Sequence, residues 1–119
     1  MSYIQGFVIP VPNEKKEAYR EMAAKAAPIF KEYGAERLVE CWGDAVPDGK
    51  VTDFRKAVQA QSNESVVFAW IVWPDKATHD AAGAKMMEDP RMQPTEPMPF
   101  DGKRLIYGGF APIFDTDEG

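Results

Sequence analysis

The only histidine of the chain, His79, is the first candidate for chemistry near neutral pH. Imidazole is the side chain whose unperturbed pKa, about 6.5, lies in that range. Helical spacing places His79 on a stripe with the small residues Ala82 and Gly83, which predict a cavity between that helix and the sheet. In the structural alternative, His79 hydrogen-bonds Asp75 one turn earlier and the small residues let the helix pack closely. The structural alternative is the more common for a lone histidine.

Two polar residues, Gln5 and Glu40, interrupt strand faces that are otherwise apolar. Buried polar groups need hydrogen-bond partners, and Tyr107 is a candidate partner for either. In a binding site, a desolvated Glu40 with a raised pKa would act with Tyr107 to bind or deprotonate a phenolic substrate. In a structural role, the same residues form a satisfied polar cluster, or an ion pair with an Arg or Lys of a second chain, at a dimer interface. We expect the structural role.

The sequence holds no other constellation of reactive residues that we can assign. Cys41 is the single cysteine, so it forms no internal disulfide, and alternation predicts that it faces the helices as a small core residue. No cluster of Cys and His has metal-ligand spacing, and Asp44, Asp48 and Asp53 lack the spacing of a calcium loop. The pair Gly108-Gly109 lies inside a strand and predicts a bulge or a close backbone contact. We therefore expect neither a metal nor a cofactor.

Length and composition limit the kinds of protein this chain can be. Its 119 residues, 45% of them hydrophobic, predict one globular domain over residues 1–119, with a mobile tail after about residue 112. A net charge of −5 without a basic cluster argues against binding to nucleic acid or to anionic membranes. The longest apolar run, Val66 to Trp73, is far shorter than the roughly 20 residues of a membrane helix. No signal peptide is predicted, so we expect a cytoplasmic protein.

Apolar periodicity predicts five strands and two helices. The predicted strands are Ser2 to Val11, Ala35 to Trp42, Phe54 to Gln61, Glu64 to Trp73 and Lys103 to Phe110. One helix is expected from the N-cap Asn13 to the C-cap Gly34, and another from the N-cap Asp75 to about Asp89. The order β-α-β-(β-β)-α-β, with an antiparallel sheet and both helices on one face, is the ferredoxin-like arrangement, an α+β fold.

Most predicted strands are apolar on both faces, although helices on one side can cover only one of them. The residues assigned to the helix side are Ile4, Gly6, Val8, Val39, Cys41, Val67, Ala69, Ile71 and Ile106. The residues assigned to the other, more aromatic face are Tyr3, Phe7, Leu38, Trp42, Phe68, Trp70, Val72, Leu105 and Tyr107. An uncovered aromatic face of this size exceeds what monomers normally expose. A second copy of the sheet is the simplest cover, so the sequence predicts a homodimer through this face.

Several unusual segments carry a family resemblance. They are Gly6 to Pro12 (GFVIPVP), Val39 to Asp44 (VECWGD) with Val46 to Lys50 (VPDGK), Phe68 to Val72 (FAWIV) and Met98 to Phe110 (MPFDGKRLIYGGF). In this order, and over nearly the whole chain, they resemble the YbaA-like family of small bacterial proteins of unknown function. That family is placed in the dimeric α/β-barrel superfamily, so the resemblance implies two ferredoxin-like sheets packed face to face. It implies no activity.

More distant members of that superfamily include cofactor-independent monooxygenases and haem-degrading enzymes. The resemblance to the haem-degrading enzymes implies a histidine on the second helix, a tryptophan on the sheet and an amide on the first strand. The comparable residues here are His79, Trp70 or Trp73, and Gln5. Alternation predicts that Gln5 and Trp70 face away from the helices, which leaves only Trp73 on the side of His79.

Two functions therefore stay open after the sequence has been read. The first, which we prefer, is a dimer that binds a small apolar or aromatic ligand, or fills its apolar pocket with side chains. The second is an oxygenase in which His79 and Trp73 handle substrate polarity and the proline-rich loop from Asp89 to Phe100 acts as a lid. We prefer the first because no pair of catalytic side chains can be assigned.

Overall fold

The structure, a computed structural model, describes residues 2–117 and contains a four-stranded antiparallel sheet with three helices. The strands are β1 (Tyr3–Pro12), β2 (Arg37–Trp42), β3 (Glu64–Trp73) and β4 (Ile106–Phe110), and the helices are α1 (Lys16–Glu32), α2 (Phe54–Ala57) and α3 (Lys76–Glu88). Short 3-10 turns occupy Asn13–Lys15 and Pro90–Met92. The strand order across the sheet is β2-β3-β1-β4. The predicted α+β class is confirmed.

The predicted strand from Phe54 to Gln61 is wrong, so the sheet has four strands and not five. The Asp53 side chain accepts a hydrogen bond from the backbone N–H of Lys56 at 2.6 Å and begins the short helix α2. Such a local bond offers the backbone an alternative to a sheet ladder. Gln59 then adopts a left-handed conformation with φ of 51°, which an extended strand does not contain.

Local capping signals position the two long helices. Asp75 accepts from the N–H of Thr78 at 2.7 Å, so the predicted N-cap of α3 is confirmed. Gly34 follows α1 with φ of 110°, as its predicted C-cap role requires, and a Cβ there would lie 2.6 Å from Thr78 Cγ2. Asn13 is not the N-cap of α1, because its side chain accepts from Ser65 Oγ and a 3-10 turn precedes the helix.

Strand register corrects the predicted sheet faces. Residues paired directly across strands share a face, so Phe7 opposite Ala69 lies under the helices, whereas Gly6 opposite Trp70 lies on the open face. The faces predicted for β3 are correct, but those of the other three strands are reversed. The helix side holds Tyr3, Gln5, Phe7, Leu38, Glu40, Trp42 and Tyr107; the open face holds Ile4, Gly6, Val8, Val39, Cys41 and Ile106. A one-residue error in register moves every side chain of a strand to the opposite face. When both faces of a strand are apolar, alternation alone does not show which face points toward the helices.

The core lies between the sheet and the long helices α1 and α3, which both pack on one face. Tyr19 of α1 packs on the β1–β3 side chains, and Ala82 and Met86 of α3 pack with Ile71 and Trp73. The molecule measures 40 × 38 × 20 Å, and its radius of gyration of 15.2 Å exceeds the about 13.5 Å expected for a globular chain of this length. It is a flat, two-layer structure. None of the helices within residues 2–117 is long and apolar enough to cross a membrane.

Candidate functional site

An apolar concavity occupies the open face of the sheet, on the side away from α1 and α3. Its volume is about 720 Å³, and side chains of three strands line it, among them Val8, Trp70 and Phe110. Phe68 and Trp70 lie with ring centroids 5.7 Å apart, and Phe54 of α2 lies 6.0 Å from Phe68. Among the residues that the sequence proposed for a site, Trp70 and Tyr107 both line the concavity, although by strand register only Trp70 belongs to the open face. We call this feature the open-face concavity.

Two glycines shape the floor of the open-face concavity. Gly6 and Gly108 are paired across β1 and β4. The Phe110 ring lies over both glycines, and a Cβ at either position would lie 3.4–3.5 Å from that ring. On the other face, Tyr3 packs so closely on Gly109 that a Cβ there would lie 2.2 Å from the Tyr3 hydroxyl. The close backbone contact predicted for the Gly108-Gly109 pair is confirmed, and β4 pairs in continuous register without a bulge.

The helix side of the sheet brings together His79, Trp73 and Gln5, contrary to the predicted position of Gln5. Trp73 Nε1 donates to Gln5 Oε1 at 3.1 Å, and Trp73 is only 1% exposed. The His79 ring lies 5.0 Å from Tyr3 and 5.8 Å from Trp73, measured between centroids. Trp70 lies on the opposite face, as predicted. These residues form a packed aromatic cluster in which the indole N–H already has its partner.

His79 lines neither of the two concavities described for residues 2–117, and the cavity expected beside it stays a prediction. Ala82 is buried against the sheet, but Gly83 is exposed and no atom lies within 4 Å of a Cβ built there. The second of the two concavities is a polar one of about 460 Å³ around Asp53 and Lys56. Nδ1 of His79 pairs with Asp80 at 2.8 Å rather than with Asp75. The His79 side chain is 23% exposed and contacts Asp80, Tyr3 and Trp73.

Glu40 has a partner that sequence reasoning missed. Tyr19 donates to Glu40 Oε1 at 2.7 Å, and the Phe100 ring packs edge-on against Tyr19 at 5.8 Å. The Glu40 side chain is exposed and not buried, yet neighbouring protein atoms desolvate its carboxylate enough to raise its pKa, against the lowering effect of the Tyr19 hydrogen bond. Burial, and then the bond to Glu40, raise the pKa of the Tyr19 hydroxyl. The sequence held one indication of this hydrogen bond: Tyr19 lies on the apolar stripe of α1, and a buried tyrosine hydroxyl needs a hydrogen-bond partner.

Tyr107 is not the partner of Gln5 or Glu40. It lies on the helix side at the edge strand β4, where it is 72% exposed and stacks on Phe7 at 6.2 Å. The polar groups of Gln5 and Glu40 are instead satisfied by Trp73 and Tyr19. Glu40 is out of reach because it and Tyr107 lie on opposite edge strands, and Gln5 lies across from Gly109 while Tyr107 lies across from Phe7.

The loop that was predicted to be a lid is held at both ends. At its start, Asp89 accepts from Arg91 and from the Tyr33 hydroxyl, and these bonds, Arg91 first, hold the pKa of Asp89 well below its usual range. At its end, Phe100 packs on the core cluster on the helix side. Residues 93–98 between these anchors are exposed. Both anchors lie on the helix side of the sheet, so the loop does not cover the open-face concavity.

A buried ion pair follows that loop. Arg104 donates to both carboxylate oxygens of Glu64 at 2.7 Å, and the two side chains are 17% and 4% exposed. This bidentate pairing lowers the pKa of Glu64. Arg104 also bonds Asp101 at 3.0 Å and so ties the turn before β4 to the start of β3. Within residues 2–117, no group of three or more His, Cys, Asp or Glu side chains is placed to hold a metal ion.

Comparison with known proteins identifies the family. The model of a family described as "Protein of unknown function (DUF1428)" matches residues 2–102. The uncharacterized protein YbaA of Escherichia coli K12 is 66% identical over 116 residues, which is 97% of this chain and 99% of that protein, and YbaA of Shigella flexneri gives the same values. The YbaA-like resemblance is thus confirmed. The structure of Rv0793 from Mycobacterium tuberculosis aligns over 98% of this chain and 99% of its own, with 12% identity and a TM-score of 0.45. The chain belongs to the DUF1428 family, whose function is unknown.

Proposed function

We propose that the chain forms a homodimer by packing two open faces against each other, and that the open-face concavity binds a small, uncharged aromatic compound. The observation that carries the proposal is the apolar concavity of about 720 Å³ on a sheet face that neither long helix covers. The antiparallel order β2-β3-β1-β4 supports a ferredoxin-like classification. Two such sheets packed face to face would form a dimeric α/β barrel.

Exposure of large apolar side chains supports the dimer. Phe68, Ile106 and Phe110 are 47%, 46% and 60% exposed on one continuous face. Two open-face strand positions carry a charge: Glu64, which is buried in its ion pair with Arg104, and Arg37, near the end of edge strand β2. An apolar patch without charges is typical of an interface between protein chains. A two-fold axis would bring the same patch from two copies into contact, so no second kind of surface is needed.

The chemistry of the concavity supports the class of ligand. Its volume lies within the roughly 300–1,000 Å³ of small-molecule sites. The lining is aliphatic and aromatic, so it would desolvate a charged ligand without supplying an ion pair. Phe68 and Trp70 offer aromatic faces on which a planar ligand would stack. Gly6 and Gly108 let the Phe110 ring lie close on the sheet, so this ring also belongs to the aromatic lining.

The oxygenase alternative is not favoured by the geometry around His79. Haem or a polycyclic substrate would need open space beside His79 and Trp73, but the indole is buried and its N–H is bonded to Gln5. The residues present therefore do not fit a haem group at this position, and no catalytic step is assigned to them. A binding role places the ligand on the opposite face of the sheet.

The dimer is tested by placing a charge on the open face. We expect Phe68→Glu to convert the dimer to a monomer, because two buried carboxylates would face each other without partners. The matched control is Met87→Glu, at an 81% exposed apolar residue of α3 on the other side of the molecule. Size-exclusion chromatography with light scattering at micromolar concentration measures the mass. A monomeric wild type, or a Phe68→Glu variant as dimeric as the control, would contradict the proposed interface.

The ligand site is tested with the neutral probe N-phenyl-1-naphthylamine. We expect a saturable rise in probe fluorescence with wild-type dimer, and its loss in Gly6→Leu, because leucine would push the Phe110 ring off the sheet and into the concavity. Gly83→Leu is the matched control, since that position is open and lies on α3. Light scattering of both variants shows whether the dimer is kept. Absence of saturable binding to the wild-type dimer, or equal binding by a dimeric Gly6→Leu variant, would overturn the ligand proposal.

A further inference from the structure

We infer that residues Ala111 to Phe114, here called the C-terminal arm, pack against a second copy of the chain and form part of the interface; this rests on the proposed dimer. The arm follows β4 directly. Its first two residues, Ala111 and Pro112, line the open-face concavity. The surface proposed for dimerisation therefore continues without interruption into the arm.

The exposure of the arm requires an explanation. Ile113 is 100% exposed and Phe114 is 82% exposed, so the rest of the described chain gives these two large apolar side chains almost no cover. Single exposed apolar residues are normal on a protein surface, but these two are consecutive and adjoin an apolar concavity. Pro112 lacks an N–H and is outside the ladder of β4, so the arm departs from the sheet just before them.

The area available on the sheet also favours a contribution from the arm. Four strands spaced about 4.8 Å apart, exposed over about six residues of about 3.3 Å each, give a planar area of roughly 400 Å². A standard stable interface buries about 800 Å² on each partner. Phe114 alone would add roughly 150–250 Å² if it became buried. Burial of the arm would thus add to the accessible area that the side chains of the sheet face contribute.

Charge marks the outer limit of the arm. Asp115 follows Phe114 directly, and its carboxylate accepts from the N–H of Asp117 at 2.8 Å to close a turn. Ionised carboxylates are costly to bury without a partner, so this turn is expected to stay in water. The apolar stretch between the sheet and the turn is then the part that contacts the second copy.

The experiment removes the two exposed side chains and measures dimer affinity. In the double variant Ile113→Ser/Phe114→Ser we expect the dimer Kd, from sedimentation equilibrium across a dilution series, to rise about tenfold or more. The matched control is Val51→Ser/Met87→Ser, which removes two apolar residues that are 94% and 81% exposed elsewhere. Its Kd is expected to stay within about twofold of wild type, since these residues lie outside the proposed interface.

A second measurement separates loss of contact between chains from loss of folding. In the monomeric Phe68→Glu background, the arm substitutions are expected to leave the thermal unfolding midpoint unchanged, because the Ile113 and Phe114 side chains are 100% and 82% exposed within residues 2–117. A wild-type dimer whose Kd responds no more to the arm substitutions than to the control would overturn the inference and leave the dimer intact. A lowered midpoint in the monomeric background would overturn it too, by showing that the arm stabilises its own chain. A monomeric wild type would instead overturn the proposed function.

Discussion

Glu64 shows how a single buried carboxylate joins distant parts of the chain. It lies at the start of β3, it is 5% exposed, and its partner Arg104 lies 40 residues later, before β4. Its Oε1 also accepts from the N–H of Gln61 at 2.7 Å, so the carboxylate is fully engaged. Removing the charge of Glu64 would leave the Arg104 guanidinium without its bidentate acceptor.

We expect Glu64→Gln to lower the free energy of unfolding by roughly 1–3 kcal/mol at pH 7. Because the folded state lowers the pKa of Glu64 from 4.5, the carboxylate stabilises the fold above that pH, and the contribution is lost as pH falls through the folded-state pKa. The difference between wild type and variant should therefore shrink below pH 4.5. Urea unfolding of both proteins from pH 7 to pH 3 measures it, with the exposed Glu96→Gln as control. A difference that stays constant over this range would contradict the assignment.

Residue-scale features could be predicted from sequence where they are local. The Asp75 cap and the Gly34 turn depend on the nearest few residues, so composition and position were sufficient. The bond between Tyr19 and Glu40 spans 21 residues and depends on how α1 lies over β2, which alternation does not specify. The same limit applies to Trp73 and Gln5, which are 68 residues apart.

At the scale of elements, a substitution in α3 tests whether Gly83 lies at an exposed position of that helix. No atom lies within 4 Å of a Cβ at Gly83, so Gly83→Ala is expected to raise the free energy of unfolding by about 0.5–1 kcal/mol through helix propensity. The contrasting variant is Gly34→Ala, expected to destabilise because φ is 110° and Thr78 Cγ2 is 2.6 Å away. Thermal and urea unfolding measure both. Destabilisation by Gly83→Ala would instead indicate that this position is closely packed against another part of the protein.

Elements were predicted well where the signals for a type of structure agreed. Proline and glycine punctuation gave β1, β3 and both long helices close to their observed bounds. The segment after Asp53 was assigned to a strand because it alternates, but the Asp53 cap and the left-handed Gln59 decide its conformation. A four-residue helix has too few residues for helical periodicity to be distinguished from alternation.

At the scale of the whole molecule, the sequence predicted an apolar face without a helix, but assigned most of its residues to the wrong side. Three of the four strands are apolar on both faces, so only the register with β3 shows that Gly6 and Ile106 face outward and Phe7 inward. The open face is consequently less aromatic than predicted, with glycines and aliphatic residues beside Phe68, Trp70 and Phe110. These residues leave a concavity on the open face. The homodimer predicted from the sequence remains a proposal, and this concave apolar face is the surface through which it would form.

The mass of the unmodified chain in solution is the most direct test of whether two copies of the chain pair, as the proposed dimer through the open faces requires. Sedimentation equilibrium from sub-micromolar to tens of micromolar concentration measures that mass without labels or substitutions. We expect a species of twice the 13.3 kDa chain mass, which dissociates only on dilution. A single species of 13.3 kDa over the whole range would contradict it, because the open face and the C-terminal arm would then be exposed to water in the native protein.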